Sequence, residues 1–377
     1  MKKRVKIFIR ILLFCILFAI AFFFYIFVYR GINEPITKRN ETSMEASVHS
    51  LKQTKKILKQ YDEFFTEKVT ETLSAEKNFG TYLIPGLESA QTVRSDTKKK
   101  DICTSMTPQG MDVTDDYIFV SAYCHTKRHN SVIYMMDGKT GEFIKEIILP
   151  NKTHAGGLAY DNINRVLWVT DMKDGKAAVS LYTLEAMENY DYEKTKKPLP
   201  FLNTHILDGL TRNSFMAFRG GNLYAGYFSM SGTSVINRYS VNFEENKLHQ
   251  DEYEELNEER KTFSKVAMDQ KWADILSQVQ GLEVFGNYLF LSQSYGYSDS
   301  RLRIYEREAI EKEKYSLKTK EELKSYRLPT RMEQICVHGG KLYMLFESGA
   351  YAYRGIPVKC IDRIISVNLN DILKDLK

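Results

Sequence analysis

The residues best suited to chemistry in this chain are acids, amides and cations that recur at matching places in five related segments. Glu333 and Glu347 stand fourteen positions apart near the C-terminal end, and Asp171 lies in an earlier segment of the same pattern. Two or three carboxylates gathered on one axis could supply the acid and the base or nucleophile of glycoside hydrolysis, which needs them roughly 5 to 9 Å apart. Around them the pattern offers mostly amides, hydroxyls and cations: Gln109, Ser214, Gln280 and Gln293, with His154, Arg212 and Arg331, and an aromatic at Tyr295. That mixture fits a polar ligand-binding surface better than a dedicated hydrolytic centre.

No HExxH, GxSxG, Walker loop or GxGxxG is present in the sequence, so the common signatures of metalloprotease, serine hydrolase and nucleotide chemistry are lacking. His125, His129, His154, His205 and His338 are scattered and no CxxC occurs. No metal site and no cofactor are therefore expected. Cys103, Cys124, Cys336 and Cys360 are candidates for one or two disulfides, in any of three pairings, or for small buried apolar residues.

The positions above are comparable because the chain repeats. TPQGMDVTDDYIFVSAY from Thr107, HAGGLAYDNINRVLWVTD from His154, RNSFMAFRGGNLYAGYF from Arg212, VQGLEVFGNYLFLSQSYG from Val279 and MEQICVHGGKLYMLFESGA from Met332 share one design. Each is an apolar run, a turn rich in Asp, Asn or Gly, and a second run of β-branched and aromatic residues, which reads as two strands and a tight turn. Further strands follow: NSVIYMMD and FIKEIIL in the first unit, RIISVNL in the last. Five such units predict an all-β chain, a five-bladed β-propeller with four-stranded blades, over residues 81–377. Closure into a ring removes the exposed faces that an open array would leave. In a propeller the first strand of each blade lines the central channel, so the starts of the five cassettes meet at one mouth. The insertions at 185–205 and 242–277 are rich in Glu, Lys, Asn and Tyr, and the second is expected to be partly helical.

Ahead of the repeats, apolar residues at Met44, Val48, Leu51, Leu58, Tyr61, Phe65, Val69 and Leu73 define one stripe of an amphipathic helix between Ser43 and Ser74. It follows a polar linker, so residues 30–80 read as linker and stalk, or as a strap packed on the domain. Further back, residues 11–29 carry no charge and at helical rise span about 28 Å, close to a bilayer core. Lys2, Lys3, Arg4, Lys6 and Arg10 precede them, within a basic tip at residues 1–10. That bias predicts a single-pass anchor in the cell membrane with the N-terminus cytoplasmic and the C-terminal domain extracellular. A cleaved signal peptide is the rival, disfavoured by the bulky residues from Phe22 to Tyr29. The whole chain has 53 basic and 48 acidic residues, net +5, with much of the excess in the tip, so nucleic acid is not an expected partner.

PQGMDVTDDYIFVSAY, HAGGLAYD, VQGLEVFGNYLFLSQSYG, LYMLFESGAYAYR with DRIISVNL, and YLIPGL at Tyr82 to Leu87 resemble a family of uncharacterised secreted or membrane-anchored β-propeller proteins of Gram-positive bacteria. The likeness spans roughly residues 80–372. It implies a propeller outside the cytoplasm and no established activity. Ser214-Phe215 and Glu333-Gln334 depart from the Gln-Gly or Gly-Gly pair of the other cassettes, so a strictly symmetric site is not expected. The function expected on these grounds is a ligand- or partner-binding or scaffold module of the bacterial envelope, taking an envelope glycan, a small polar ligand or an envelope protein. The alternative is an envelope glycan hydrolase or lyase.

Overall fold

The structure is a computed structural model that describes residues 2–25, 48–245, 262–310, 315–317, 319–355 and 359–376. Its N-terminal element is the helix α1 (Lys2–Phe24), whose stretch Arg4–Phe24 is long and apolar enough to cross a membrane. An anchor and a signal sequence both have that character. The last residues of the expected span, 26–29, lie outside the described residues.

Five antiparallel sheets follow a strand, β1 (Thr81–Leu83), and a hairpin, β2 (Ala90–Val93) with β3 (Lys100–Cys103). The first blade is β4 (Met106–Val113), β5 (Tyr117–Cys124), β6 (Val132–Asp137) and β7 (Phe143–Ile148). The second is β8 (Leu158–Asp161), β9 (Val166–Lys173), β10 (Lys176–Thr183) and β11 (Asn203–Ile206). The third is β12 (Phe215–Arg219), β13 (Asn222–Gly226), β14 (Thr233–Glu245) and β15 (Thr262–Leu276). In the fourth, β16 (Val279–Phe285), β17 (Tyr288–Gln293) and β18 (Ser300–Glu306) are followed by a two-residue strand, β19 (Tyr315–Ser316), that pairs in parallel with β15 of the third blade. The fourth blade is completed by β20 (Lys324–Leu328). The fifth consists of β21 (Met332–His338), β22 (Lys341–Phe346) and β23 (Arg363–Asn368), and takes its outer strand from β1, Thr81 pairing with Ile365 and Leu83 with Arg363. The ring is therefore closed by the two ends of the domain meeting in one sheet. The five sequence cassettes are the inner two strands of the five blades.

Closure depends on how near the inner strands come. A Cβ on Gly110 would lie 2.9 Å from the Gly157 backbone, one on Gly157 would lie 3.0 Å from Phe215 Cα, and one on Gly281 would lie 2.9 Å from Gln334 Cα. The glycines at these places in the first, second and fourth cassettes are thus needed for backbone-to-backbone contact between blades, and any side chain there would push neighbouring blades apart. Halfway along the axis Gln334 ties its own blade to three others. Its Oε1 accepts from Met111 N at 2.9 Å and Leu158 N at 2.8 Å, while its Nε2 donates to Leu158 O at 2.6 Å and Met216 O at 3.2 Å.

Two expectations are corrected. The amphipathic stripe forms two short helices, α2 (Leu51–Leu58) and α3 (Glu67–Thr72), instead of one. Ser50 caps the first through a box with Gln53, and Thr66 caps the second. Between them the chain turns so that Tyr61, Phe64 and Phe65 bury against the fourth and fifth blades; Phe64 meets Tyr326 edge-on at 5.1 Å, and Tyr61 Oη donates to Asp299 at 2.6 Å. Burying three aromatics outweighs the helical continuity that the spacing favours. Residues 43–47 of the stripe lie outside the described residues. In the second insertion, Thr262–Leu276 is a strand rather than helix, paired along β14 out to Glu245 with Thr262. Cross-strand pairing overrides the helix-favouring Lys, Ala and Gln there; residues 246–261 lie outside the described residues. The first insertion holds two short helices, Leu184–Asn189 and Tyr192–Thr195, ahead of β11.

Candidate functional site at the channel mouth

Three of the inner strands begin with a bulge, and the bulges place the polar residues. Pro108 pairs with Ala122 and Met111 with Val120, so Gln109 and Gly110 together oppose the single residue Ser121. Gln280 is the extra residue between Val279 and Gly281, and Glu333 with Gln334 oppose Leu345. A bulge turns a side chain out of the ladder's alternation, and here it turns Gln109, Gln280 and Glu333 into the mouth. Hydroxyls on the second strands hold the bulges and the next blade together: Ser121 Oγ accepts from Gly110 N at 2.8 Å and donates to Ala155 O at 2.6 Å, and Ser292 Oγ donates to Glu333 O at 2.7 Å. Arg331, just ahead of its strand, sits at φ +62°, a strained conformation for a residue with a side chain, of the kind that collects at functional sites.

The result is a cavity of about 340 Å³ lined by residues of all five blades. It brings together Gln109, His154, Arg212, Ser214, Gln280, Tyr295, Arg331, Glu333 and Glu347 of the expected site. Two expected residues fall outside it. Gln293 is engaged in its own blade, donating to Ser277 O at 2.8 Å and accepting from Arg303 Nε at 2.8 Å. Asp171 is buried, accepting from Ser180 Oγ at 2.7 Å and its neighbour's amide, Met172 N, at 2.8 Å. Sequence reading missed Phe228 and Tyr353, which also line the cavity. Tyr353 comes from the short helix Tyr351–Arg354, and the only sequence signal for it was the motif ESGAYAYR, which names no orientation.

At the centre, Glu347 receives Arg331 Nη1 on Oε1 at 2.8 Å and Gln109 Nε2 on Oε2 at 2.9 Å. Gln109 Oε1 in turn lies 2.6 Å from His154 Nε2, so the Nε2-protonated imidazole donates to it. Glu333 is hydrogen-bonded to Glu347 and receives Gln280 Nε2 at 3.3 Å. Burial first, and then the charge of Glu347, push the Glu333 carboxyl well above the usual range. Burial also raises Glu347, but Arg331 and Gln109 favour its charged form. The two acids therefore disfavour being charged together, and Glu333 is the one pushed harder towards its protonated form. Two acids in hydrogen-bond contact lack the gap of roughly 5 to 9 Å that a glycosidase pair needs, and Asp171 does not complete a triad.

The walls are aromatic. The Arg331 guanidinium lies 3.6 Å from the Tyr353 ring centroid, Tyr123 stacks 4.1 Å from His154, and Phe228 lies 5.8 Å from Tyr295, whose ring is half exposed at the rim. His154 faces the open mouth with protein on most sides. Desolvation by that surround pushes its imidazole below the usual range, with the charges of His125 and Lys127 adding to the shift. Within the cavity lining, the buried Arg331 Nε has no acceptor among the described residues. Arg212 lies 5.9 Å over Tyr227 and makes no ion pair among the described residues.

Of the four candidate disulfide cysteines, all are buried and no disulfide joins them. Cys336 faces the acids Asp112 and Glu283 near the far end of the channel, and Cys360 adjoins Asp362. Cys103 and Cys124 do come together, with His129. The absence of a CxxC motif gave no hint of that cluster.

No family model matches the chain, and no curated protein matches it. Among solved structures, a nidogen/laminin complex is 16% identical over 71% of this chain and 86% of that one, with a TM-score of 0.34. The RRP9 WD40 repeats are 10% identical over 70% and 94%, at 0.36, and the RS223 β-xylosidase 10% identical over 70% and 91%, at 0.40. Likenesses this distant carry no function across. The Gram-positive family suggested by the cassettes has no family match behind it; the propeller stands on the strand pairing itself.

Proposed function

We propose that this chain is a membrane-tethered binding propeller whose channel mouth takes an acidic, sugar-like ligand of the cell envelope. The observation that carries the reading is the cup itself: side chains from five blades converge on one cavity, with hydrogen-bonding amides and a carboxyl–carboxylate pair at its floor and aromatic rings at its rim. Hydroxyls of a ligand find donors and acceptors in Gln109, Gln280 and Glu333, a sugar ring finds Tyr295 to lie on, and an acidic group finds Arg212. The tether is the apolar stretch of α1, and the basic tip with which that helix begins supports a cytoplasmic N-terminus with the propeller outside.

Screening the detergent-solubilised full chain on an array of acidic and neutral glycans tests the proposal. Acidic glycans are expected to bind, and both Arg212→Ala and Glu347→Gln are expected to weaken binding at least tenfold, about 1.4 kcal/mol. Glu333→Gln should give only a graded loss, whereas a hydrolase would lose turnover by orders of magnitude. Binding indifferent to the mouth variants, or no glycan binding at all, overturns the reading.

A further inference from the structure

The cluster of Cys103, Cys124 and His129 belongs to no part of the mouth. Cys103 ends β3, Cys124 ends β5, and His129 lies in the loop that follows, where Lys127 at φ +57° and a Lys127 N to Cys124 O bond of 2.8 Å fold the chain back. The ligand atoms of the three lie within 4.8 Å of one another, and all three residues are 2% exposed or less. His129 Nδ1 is 3.4 Å from Cys124 Sγ, while His129 Nε2 is 3.1 Å from Asp101 Oδ2. Two thiolates and an imidazole around a tetrahedral zinc lie about 3.5 to 3.8 Å apart, given metal–ligand distances of about 2.0 to 2.3 Å. A metal-binding imidazole also characteristically turns its other nitrogen to a carboxylate, which fixes the ring and its tautomer. His129 is oriented in that way. A disulfide between the cysteines would need neither the imidazole nor the carboxylate behind it.

We propose that Cys103, Cys124 and His129 bind a divalent d10 cation, Zn2+ in the first instance, with Asp101 as the partner that orients His129. Soft sulfur with imidazole selects such an ion over Ca2+ or Mg2+. The fourth position falls to water or to Thr126, whose Oγ1 is 3.1 Å from Cys124 Sγ. The ion clamps the β2–β3 hairpin to the end of the first blade, a structural role.

The test uses the full chain in detergent, purified under reducing conditions, stripped with chelator and reloaded with ZnCl2 or CoCl2. One zinc per chain is expected by mass spectrometry of the metal, and the cobalt form should show thiolate-to-cobalt charge-transfer absorption. Cys124→Ser and His129→Ala should lose both signals, while Cys15→Ser, in α1, should keep them. Asp101→Asn leaves the three ligands in place; it should still bind cobalt, with affinity lowered 10- to 100-fold, and so tests the site even where a ligand variant fails to fold. Zinc below stoichiometry after loading, affinity unchanged in Asp101→Asn, or an intact mass showing Cys103 and Cys124 oxidised to a disulfide in the native protein each overturns the proposal.

Discussion

The two ends of the channel are built from the same kinds of residue and put them to opposite uses. At the mouth, Arg331 pairs with Glu347, but Arg331 Nε and Arg212 keep capacity in hand. At the far end, Arg219 pairs with the fully buried Glu283, whose oxygens also accept from Val284 N at 2.7 Å and Val337 N at 2.8 Å, and Arg219 Nη2 donates to Val337 O at 3.2 Å. Asp112 there accepts from Val113 N and Tyr160 N at 2.8 and 2.6 Å. Those acids are spent on backbone amides of their own and neighbouring strands. The difference teaches that an axial carboxylate in this fold is a lock where amides surround it, and becomes a candidate site where bulges and rings keep amides away.

The widest gap between the ends should appear when their arginine partners are lost. Arg219→Met leaves Glu283 buried without its cation, and a cost of about 3 to 5 kcal/mol at pH 8 is expected from urea unfolding. The same variant at pH 4 should unfold nearly as the parent does, because Glu283 is then neutral. Burial holds its carboxyl up at about 7, despite Arg219. A folded value above the unfolded one means that this group's contribution is complete below about pH 4.5 and is lost as the pH rises through about 7. A cost independent of pH would break the assignment of Glu283 as the lock.

Gln334→Leu comes next. It strips two amide donors and two carbonyl acceptors of their partners midway along the axis, and a loss of about 2 to 4 kcal/mol is expected in the same measurement. A change under about 1 kcal/mol would show that the blades hold together without this staple. Smallest should be Glu347→Gln at the mouth, within about 1 kcal/mol of the parent, since the replacing amide keeps an oxygen that accepts from Arg331. A larger loss would make the mouth a second lock and sink the contrast.

Much of the architecture was legible because each cassette carries strand period and turn together, and three of them add a close-approach glycine. The bulges were not, since an extra residue leaves no mark on the alternation; yet they explain why Gln109, Gln280 and Glu333 reach the mouth while Gln293 and Asp171, in regular ladder positions, do not. The helical reading of 262–276 failed because composition cannot see the partner strand. The cysteine–histidine cluster was invisible for a similar reason, as its members come from a hairpin, a strand end and a loop that only the tertiary fold unites.

The pairing of β1 with β23 has a consequence in time. A ribosome delivers Thr81–Leu83 long before Arg363–Asn368, so the first strand made must stay without its partner through the synthesis of four whole blades. The ring can shut only once Arg363–Asn368 has emerged, and until that moment an open sheet edge is available to other polypeptides. The aromatic turn of residues 61–65, which rests on the two last-made blades, is likewise among the final pieces to settle.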